Sequence, residues 1–244
     1  CERHKRDMER AESKEFPFYF DWAVAEGAIE FFPSMLKHST GELLGQPFHL
    51  EPWQMFGVGS IYGWKRVDDG GRRFKRVLWM MGRKNGKTTL GAGICLLTTG
   101  FDPNPLCPQR LPESRAHCII AATKIDQAHV MFDEIVRMRA QSEFINDRTK
   151  FLKSQNRIEF PASDSDIKII DSTRSADGYN PHLVCLDEVH AYTKTHEEFY
   201  STMMTGGGAR VQPLVCTFTT AGDDTSFIWL EEYKFAKGVL SGDF

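Results

Sequence analysis

Short uninterrupted runs of apolar residues recur along the chain from residue 76 onward, and stretches with helical periodicity lie between them. Such runs are typical of strands that are buried on both faces of a parallel sheet. The predicted strands are Arg76–Met81, His117–Ala122, Leu183–Leu186 and Leu214–Thr219, together with a β-hairpin made of Arg157–Phe160 and Ile167–Asp171. Apolar residues at helical spacing from Ile125 onward predict an amphipathic helix. The alternation predicts an α/β fold with a central, mainly parallel sheet flanked by helices.

The pattern at the two ends divides the chain into three parts. The first residues are charged and aperiodic, which predicts an arm or a frayed helix. A first regular helix is predicted from Phe18 to Phe32, because Pro33 follows. We therefore place an N-terminal arm and helix at residues 1–33, a core domain at 34–225, and a C-terminal helix that begins a linker at 226–244.

Composition narrows the classes of protein. The 33 acidic residues outnumber the 30 Lys and Arg, so the net charge is −3 and any contact with nucleic acid must be local. No run approaches the roughly 18 apolar residues of a membrane span and no secretory signal is present, so we expect no membrane partner and no secretion. The six cysteines form no Cys-x-x-Cys pair, which indicates reduced core residues of an intracellular protein.

A glycine-rich segment lies between the first core strand and a helix, which is the context of a phosphate-binding loop. Glycine allows backbone N–H groups to surround phosphate oxygens, and the helix N-terminus favours negative charge. Lys87 would reach the terminal phosphates and assist catalysis, and Thr88 would hold Mg²⁺. The predicted nucleotide-binding residues here are Gly82, Arg83, Lys84, Asn85, Gly86, Lys87, Thr88 and Thr89. The match is imperfect, because Met81 stands where the usual pattern has its first glycine.

Two carboxylates, Asp187 and Glu188, follow the apolar strand Leu183–Leu186. In a site of phosphoryl transfer, Asp187 would hold Mg²⁺ while Glu188 would orient or deprotonate the attacking water. An Asp-Glu pair at the end of a strand is more often a solvated turn. Because it follows a Gly-Lys-Thr loop in chain order, the pair indicates an enzyme that hydrolyses ATP.

The next strand ends in Thr217-Phe-Thr-Thr-Ala-Gly222. The hydroxyl groups of Thr217, Thr219 and Thr220 would hydrogen-bond the γ-phosphate or the water and couple hydrolysis to the rest of the domain. Ligands of parallel sheets bind at the carboxyl ends of the strands, so we expect the three motifs to meet at one edge.

Several features of the chain occur together in one family. They are Trp53-Gln54 ahead of the first core strand, Arg83 in the imperfect loop, Asp177-Gly-Tyr-Asn-Pro181, His190 after the Asp-Glu pair, and Thr-Thr-Ala-Gly222. In this order, from about residue 30 to residue 235, the chain resembles the large terminase subunits of tailed bacteriophages. The resemblance implies a P-loop NTPase of the additional-strand catalytic-glutamate type, as in RecA-like proteins.

The resemblance also implies roles for individual residues. Trp53 and Gln54 would bind the nucleotide, with Gln54 at the adenine, and Arg83 would assist catalysis. A neighbouring subunit would complete the site with an arginine, for which Arg174 is the best candidate. Arg148 and Arg210 are the alternatives.

The function implied by the resemblance is that of an ATP- and Mg²⁺-dependent motor in a ring, expected to be a pentamer, which drives double-stranded DNA into a procapsid. Its partners would be double-stranded DNA, the portal protein and the small terminase subunit. It would act in the host cell cytoplasm, transiently docked on the portal. The second half of such proteins is a nuclease, for which these 244 residues leave no room. We therefore expect ATP hydrolysis without DNA cleavage.

Two other functions stay open on the sequence. Asp187-Glu-Val-His190 matches the DExH box of helicases, although no second ATPase-like repeat follows. A structural subunit that binds DNA or the portal would use nucleotide only as a latch, with Glu188 idle. A basic segment, Lys65-Arg66 with Arg72-Arg73-Phe-Lys75-Arg76, predicts either a solvated face or a contact with a phosphate backbone.

Overall fold

A computed structural model describes residues 1–107, 109, 111–172 and 178–243. The helices are α1 (Glu2–Arg10), α2 (Trp22–Met35), α3 (Pro52–Gly63), α4 (Lys87–Gly100), α5 (Ile125–Gln141), α6 (Glu143–Arg148), α7 (Glu197–Thr205) and α8 (Phe227–Ser241). The strands are β1 (Phe18–Phe20), β2 (Trp64–Arg66), β3 (Arg76–Met80), β4 (His117–Ala121), β5 (Lys150–Leu152), β6 (Arg157–Phe160), β7 (Ser165–Ile169), β8 (Leu183–Asp187) and β9 (Leu214–Thr219). Short 3₁₀ turns cover Lys153–Gln155, Val189–Ala191 and Lys194–His196. Across the described ranges, no helix is both long and apolar enough to cross a bilayer.

One large sheet organises the chain, with seven strands in the order β3-β9-β8-β4-β7-β6-β5. The first five strands in that order run parallel to their neighbours. The last two, β6 and β5, extend the sheet with antiparallel pairing. The predicted α/β fold with a mainly parallel sheet is confirmed, and so is the hairpin, which is formed by β6 and β7.

The central strands are buried on both faces, as their uninterrupted apolar sequences predict. In β8, Leu183 and Cys185 pack into the core beneath α4 and α5, whereas Val184 and Leu186 pack into a second core with α7 and α8. Helix α4 is buried along most of its length. The residue that begins α4, Lys87, is therefore fixed relative to the sheet.

Four cysteines meet in the core between α4 and the sheet. Cys95 comes from α4, and Cys118, Cys185 and Cys216 come from three adjacent strands. All four are buried free thiols, and the sulfur atoms of Cys95 and Cys185 lie 3.4 Å apart. The prediction that the cysteines of the apolar runs are reduced core residues is confirmed for these four.

The N-terminal region departs from the prediction. Phe18–Phe20 forms strand β1, which pairs antiparallel with β2, and the helix begins only after Asp21, whose carboxylate accepts a hydrogen bond from the Val24 N–H at 3.1 Å. The helix also continues through Pro33 to Met35. Proline near the end of a helix removes only one backbone hydrogen bond there, so it does not set the boundary.

The prediction of a solvated face is wrong for four of the six charges of the basic segment, which are buried or half-buried, whereas Lys75 and Arg76 are exposed. The contact with a phosphate backbone stays a prediction. Arg72 is fully buried and pairs with Asp102. Arg73 pairs with Asp7 of α1 at 2.8 Å, and Arg76 pairs with Glu232 of α8. These side chains join the N- and C-terminal helices to the sheet.

His182 lies at the amino end of β8 and is almost completely buried. Neither of its ring nitrogens has a hydrogen-bond partner among the described residues. Burial, and then the nearby charges of Arg72 and Arg210, hold the pKa of His182 well below its ordinary value of 6.5. The folded protein therefore keeps this ring neutral.

Lowering the pH below 6.5 is expected to destabilise the domain through His182. The unfolded chain binds the proton first, so this contribution to stability is complete above that pH and is lost as the pH falls. The free energy of unfolding should decrease by up to roughly 1.4 kcal/mol per pH unit. Urea unfolding from about pH 7.5 to about pH 5 measures the slope. His182→Leu should flatten that slope, and equal slopes in the two proteins would contradict the assignment.

Candidate functional site

Three connections meet at the carboxyl edge of the sheet, on the adjacent strands β3, β9 and β8. The first is the loop between β3 and α4, the second is the Asp-Glu pair at the end of β8, and the third follows Thr219 of β9. The prediction that the three motifs share one edge is confirmed for these connections. The distances between their side chains define the candidate site.

The glycine-rich loop ends at Gly86, which adopts the left-handed conformation with a φ of 73° and precedes the first turn of α4. Lys84 is also left-handed, with a φ of 65°. Met81, at the position of the missing glycine, donates its N–H to the Thr219 carbonyl at 3.0 Å. Met81 therefore continues the pairing of β3 with β9, where glycine is not required. The loop that can surround an anion is confined to residues 82–86.

Lys87 and Glu188 are in direct contact. The Lys87 Nζ lies 2.7 Å from the Glu188 Oε1, and Lys87 is about nine-tenths buried. Glu188 has a φ of 53°, which is rare for a residue with a side chain. Strained backbone of this kind clusters at functional sites, where surrounding contacts hold it in place. Strand β8 ends just before Glu188, and the Glu188 side chain lies against Lys87.

Asp187 is buried beside this pair, and its Oδ1 accepts a hydrogen bond from the Glu188 N–H at 2.9 Å. Burial, and then the nearby Glu188 carboxylate, raise the pKa of Asp187 to about 6, although Lys87 opposes both effects. The single charge of Lys87 therefore does not balance two carboxylates. A cation at Asp187 would offset both the burial and the repulsion.

Thr219 and Thr220 reach the same site through His190, a residue to which the sequence assigned no role. The His190 Nδ1 lies 3.1 Å from the Glu188 Oε2. The His190 N–H donates to the Thr219 hydroxyl at 3.0 Å, and the Thr220 hydroxyl lies 3.3 Å from the His190 Nδ1. The sequence marked His190 only as part of the family pattern, two residues after Glu188.

The structure separates the predicted pair Trp53 and Gln54. Gln54 is buried, its Oε1 accepts a hydrogen bond from the Glu51 N–H at 2.8 Å, and its Nε2 lies near Gly86. Trp53 is 43% exposed and contacts Trp79 in the cleft beside β3. Gln54 therefore borders the glycine-rich loop, whereas Trp53 lies in the cleft beside β3.

The other predicted residues differ in position. Thr88 and Thr89 lie in the first turn of α4 and are partly exposed. Gly82, Arg83, Lys84 and Asn85 form the exposed part of the loop. Thr217 lies two residues before the end of β9, is buried, and borders the same cleft as Trp53. Of the three threonines predicted to couple hydrolysis, Thr219 and Thr220 thus contact the group around Glu188.

Arg174, predicted to act on a neighbouring subunit, lies outside the described residues. Arg210, an alternative, is held at the opposite edge by Glu113 at 3.2 Å and by the Asn180 carbonyl at 3.1 Å. Arg148 lies over the Phe144 ring, 3.6 Å from its centroid. Both alternatives therefore have partners within their own chain.

No group of three or more His, Cys, Asp or Glu side chains that could hold a metal ion alone occurs in the described part of the chain. Mg²⁺ seldom uses such a cage, because it is usually bound by one or two carboxylates together with water and substrate phosphates. Asp187, buried and incompletely neutralised, and the partly exposed Thr88 fit that mode of binding.

Comparisons with known proteins agree with this geometry. A family model for the ATPase domain of the terminase large subunit matches residues 52–238. The terminase large subunit of Enterobacteria phage HK97 is 24% identical over 211 residues, which are 85% of this chain and 39% of that protein. Protein YmfN of Escherichia coli K12 is 47% identical over 49 residues, 20% of this chain and 10% of that protein.

Among solved structures, the crystal structure of the HK97 bacteriophage large terminase superimposes with a TM-score of 0.71 at 22% identity. The match covers 90% of this chain and 42% of that one, so the chain spans about two fifths of the length of these relatives. At this identity the superposition supports the fold, and the family model, which covers more than half of the chain, supports membership. The chain therefore belongs to the family of ATP-hydrolysing domains of terminase large subunits.

Proposed function

We propose that this chain uses ATP hydrolysis to move double-stranded DNA into a viral procapsid. The observation that carries the proposal is the contact of Lys87 with Glu188 beside buried Asp187, at the start of helix α4, which follows a phosphate-binding loop. Membership in the family of terminase large-subunit ATPase domains supports both the ATPase activity and a role in DNA packaging.

The roles of the residues follow from their positions. The backbone of residues 82–86 and Lys87 bind the phosphates, Asp187 and Thr88 hold Mg²⁺, and Glu188 orients the attacking water. The metal ion supplies charge that stabilises the phosphates during transfer. Lys87 contacts Glu188 in the structure, so its role at the phosphates requires its ammonium group to turn from Glu188 when ATP binds. Gln54 and Arg83 border the bound nucleotide, Gln54 at its base, and Trp53 lies farther out.

The partners in this proposal are double-stranded DNA, the portal protein, the small terminase subunit and further copies of the same protein in a ring, taken as a pentamer. Arg174 of a neighbouring copy would complete the site. The site of action is the host cytoplasm, at the portal of the procapsid. These assignments rest on the family alone.

The test is ATP turnover with linear double-stranded DNA, with single-stranded DNA and without DNA, followed by packaging with procapsids and the intact protein. We expect double-stranded DNA to stimulate turnover and DNA to become nuclease-resistant inside the procapsid. Lys87→Ala should abolish both activities, whereas Lys153→Ala, at an exposed lysine in the turn after β5, should retain turnover. Stimulation by single-stranded DNA with strand separation would support a helicase, and turnover equal in wild type and Lys87→Ala would support a structural latch.

A further inference from the structure

The Glu188 carboxylate is held from two sides. Its Oε1 contacts Lys87, and its Oε2 contacts the Nδ1 of His190 at 3.1 Å. If Lys87 turns to the phosphates when ATP binds, His190 becomes the protein contact of Glu188 described here. The direction of this carboxylate toward water then depends on the His190 ring.

His190 is itself attached to the end of β9. The backbone N–H of His190 donates to the Thr219 hydroxyl, which in turn donates to the Thr220 carbonyl at 2.7 Å. Thr219 is fully buried, so this attachment is shielded from solvent. The ring also lies close to this hydroxyl, with the His190 Nδ1 3.3 Å from the Thr219 Oγ1, so a change in the position of the ring alters contacts where the chain leaves the sheet.

Three oxygen atoms lie close to the His190 Nδ1, those of Glu188, Thr219 and Thr220, and two of them compete for it because the Thr219 hydroxyl already donates to the Thr220 carbonyl. With a proton it donates to the Glu188 Oε2, and without a proton it accepts from the Thr220 hydroxyl, which lies 3.3 Å away. One ring nitrogen carries either a proton or a lone pair, so the two bonds exclude each other. Thr220 therefore donates to the His190 Nδ1 only when that nitrogen does not donate to Glu188.

The turn that carries His190 also packs against the last helix. Val189 in the turn and Ile228 of α8 belong to the same buried apolar cluster. Thr220 begins the connection that leads from β9 to α8. Glu188 is therefore connected to α8 in two ways, through the turn that contains Val189 and through the connection that begins at Thr220.

We infer that His190 is a positioning residue that orients the Glu188 carboxylate and transmits the state of Glu188 to Thr220 and α8. The inference rests on the proposed role of Glu188 in hydrolysis. It adds His190 to the coupling predicted for the threonines, and it gives that coupling a direction, from Glu188 to Thr220 and α8.

The test compares His190→Ala and His190→Asn with the wild type in steady-state ATP turnover. His190→Ala should lower kcat by roughly 10- to 100-fold, the usual effect of a lost hydrogen bond to a charged group, and leave the KM for ATP within about two-fold. His190→Asn carries an amide donor near the position of Nδ1 and should recover most of the loss. His196→Ala is the matched control, because His196 lies after the same strand but contacts Thr193.

A double-mutant cycle with Thr220→Val tests transmission. The effect of Thr220→Val on kcat should be smaller in the His190→Ala background than in the wild type. Wild-type kcat in His190→Ala, a loss that His190→Asn does not recover, or additive effects in the cycle would each overturn the inference. If Glu188→Gln also retained wild-type turnover, the proposed function would fail as well, so the two failures can be distinguished. Thermal melting of each variant verifies that it is folded.

Discussion

Replacing Glu188 with glutamine is expected to lower the kcat for ATP hydrolysis by about 10²- to 10⁴-fold, the range of a lost general base. The amide is nearly the same size as the carboxylate, so the fold and the strained backbone at this position should persist. It cannot accept a proton from water, and its contact with Lys87 loses the charge. Phosphate release at saturating ATP measures the effect.

Binding of ATP should survive this change, and it should strengthen if the contact with Glu188 holds Lys87 away from the phosphates. A fluorescent ATP analogue titrated into both proteins gives the two dissociation constants. Glu197→Gln is the matched control, because Glu197 is an exposed carboxylate in the first turn of α7. Loss of nucleotide binding in Glu188→Gln together with loss of turnover would assign Glu188 to the binding of nucleotide rather than to the activation of water.

The sequence predicted the edge at which the site forms, because each motif there is local. A strand followed by Gly-Lys-Thr, or by two carboxylates, needs only the direction of the strand to place its side chains. The contact between Lys87 and Glu188 joins residues 101 positions apart, and it depends on the order of strands β3, β9 and β8. Strand order is a property of the whole sheet, and no local pattern encodes it.

The structure also places residues that are neighbours in sequence in different surroundings, which hydrophobic periodicity does not predict. Trp53 and Gln54 were assigned one role, but successive residues of a helix point about 100° apart, and only Gln54 reaches the loop. His190 was identified as part of the family pattern, yet its contacts require the return of β9 beside β8. Roles that depend on which way a side chain points could not be predicted from the sequence.

The prediction of a solvated face for the basic segment was wrong for a different reason. A charged residue is read from sequence as solvent-exposed, because an unpaired buried charge is very costly. Arg72 is fully buried because Asp102, thirty residues later, and the Gln212 carbonyl meet its guanidinium group. A pair formed over that separation leaves no periodic signal.

This buried pair carries the largest predicted effect on stability. Asp102→Asn should lower the free energy of unfolding by about 3–5 kcal/mol, because Arg72 keeps its charge and loses the opposite one. Burial raises the pKa of Asp102 even though Arg72 and Lys65 lower it, so removing the charges from water is already costly in the native pair. The stability that depends on Asp102 is therefore mainly compensation for the buried guanidinium group.

The cost of an unpaired buried charge can be distinguished from a simple attraction between two charges. Replacing both residues, as Arg72→Met with Asp102→Leu, should restore most of the stability lost in Asp102→Asn, because no charge is left to be buried. Asp164→Asn is the exposed control: Asp164 pairs with Arg115 at 3.2 Å with both side chains about three-quarters exposed, so its loss should barely change stability. Urea unfolding of the four proteins measures the differences. A double variant as unstable as Asp102→Asn would mean that the pair itself, rather than the cost of an unpaired charge, stabilises the junction between β9 and the segments that follow β2 and α4.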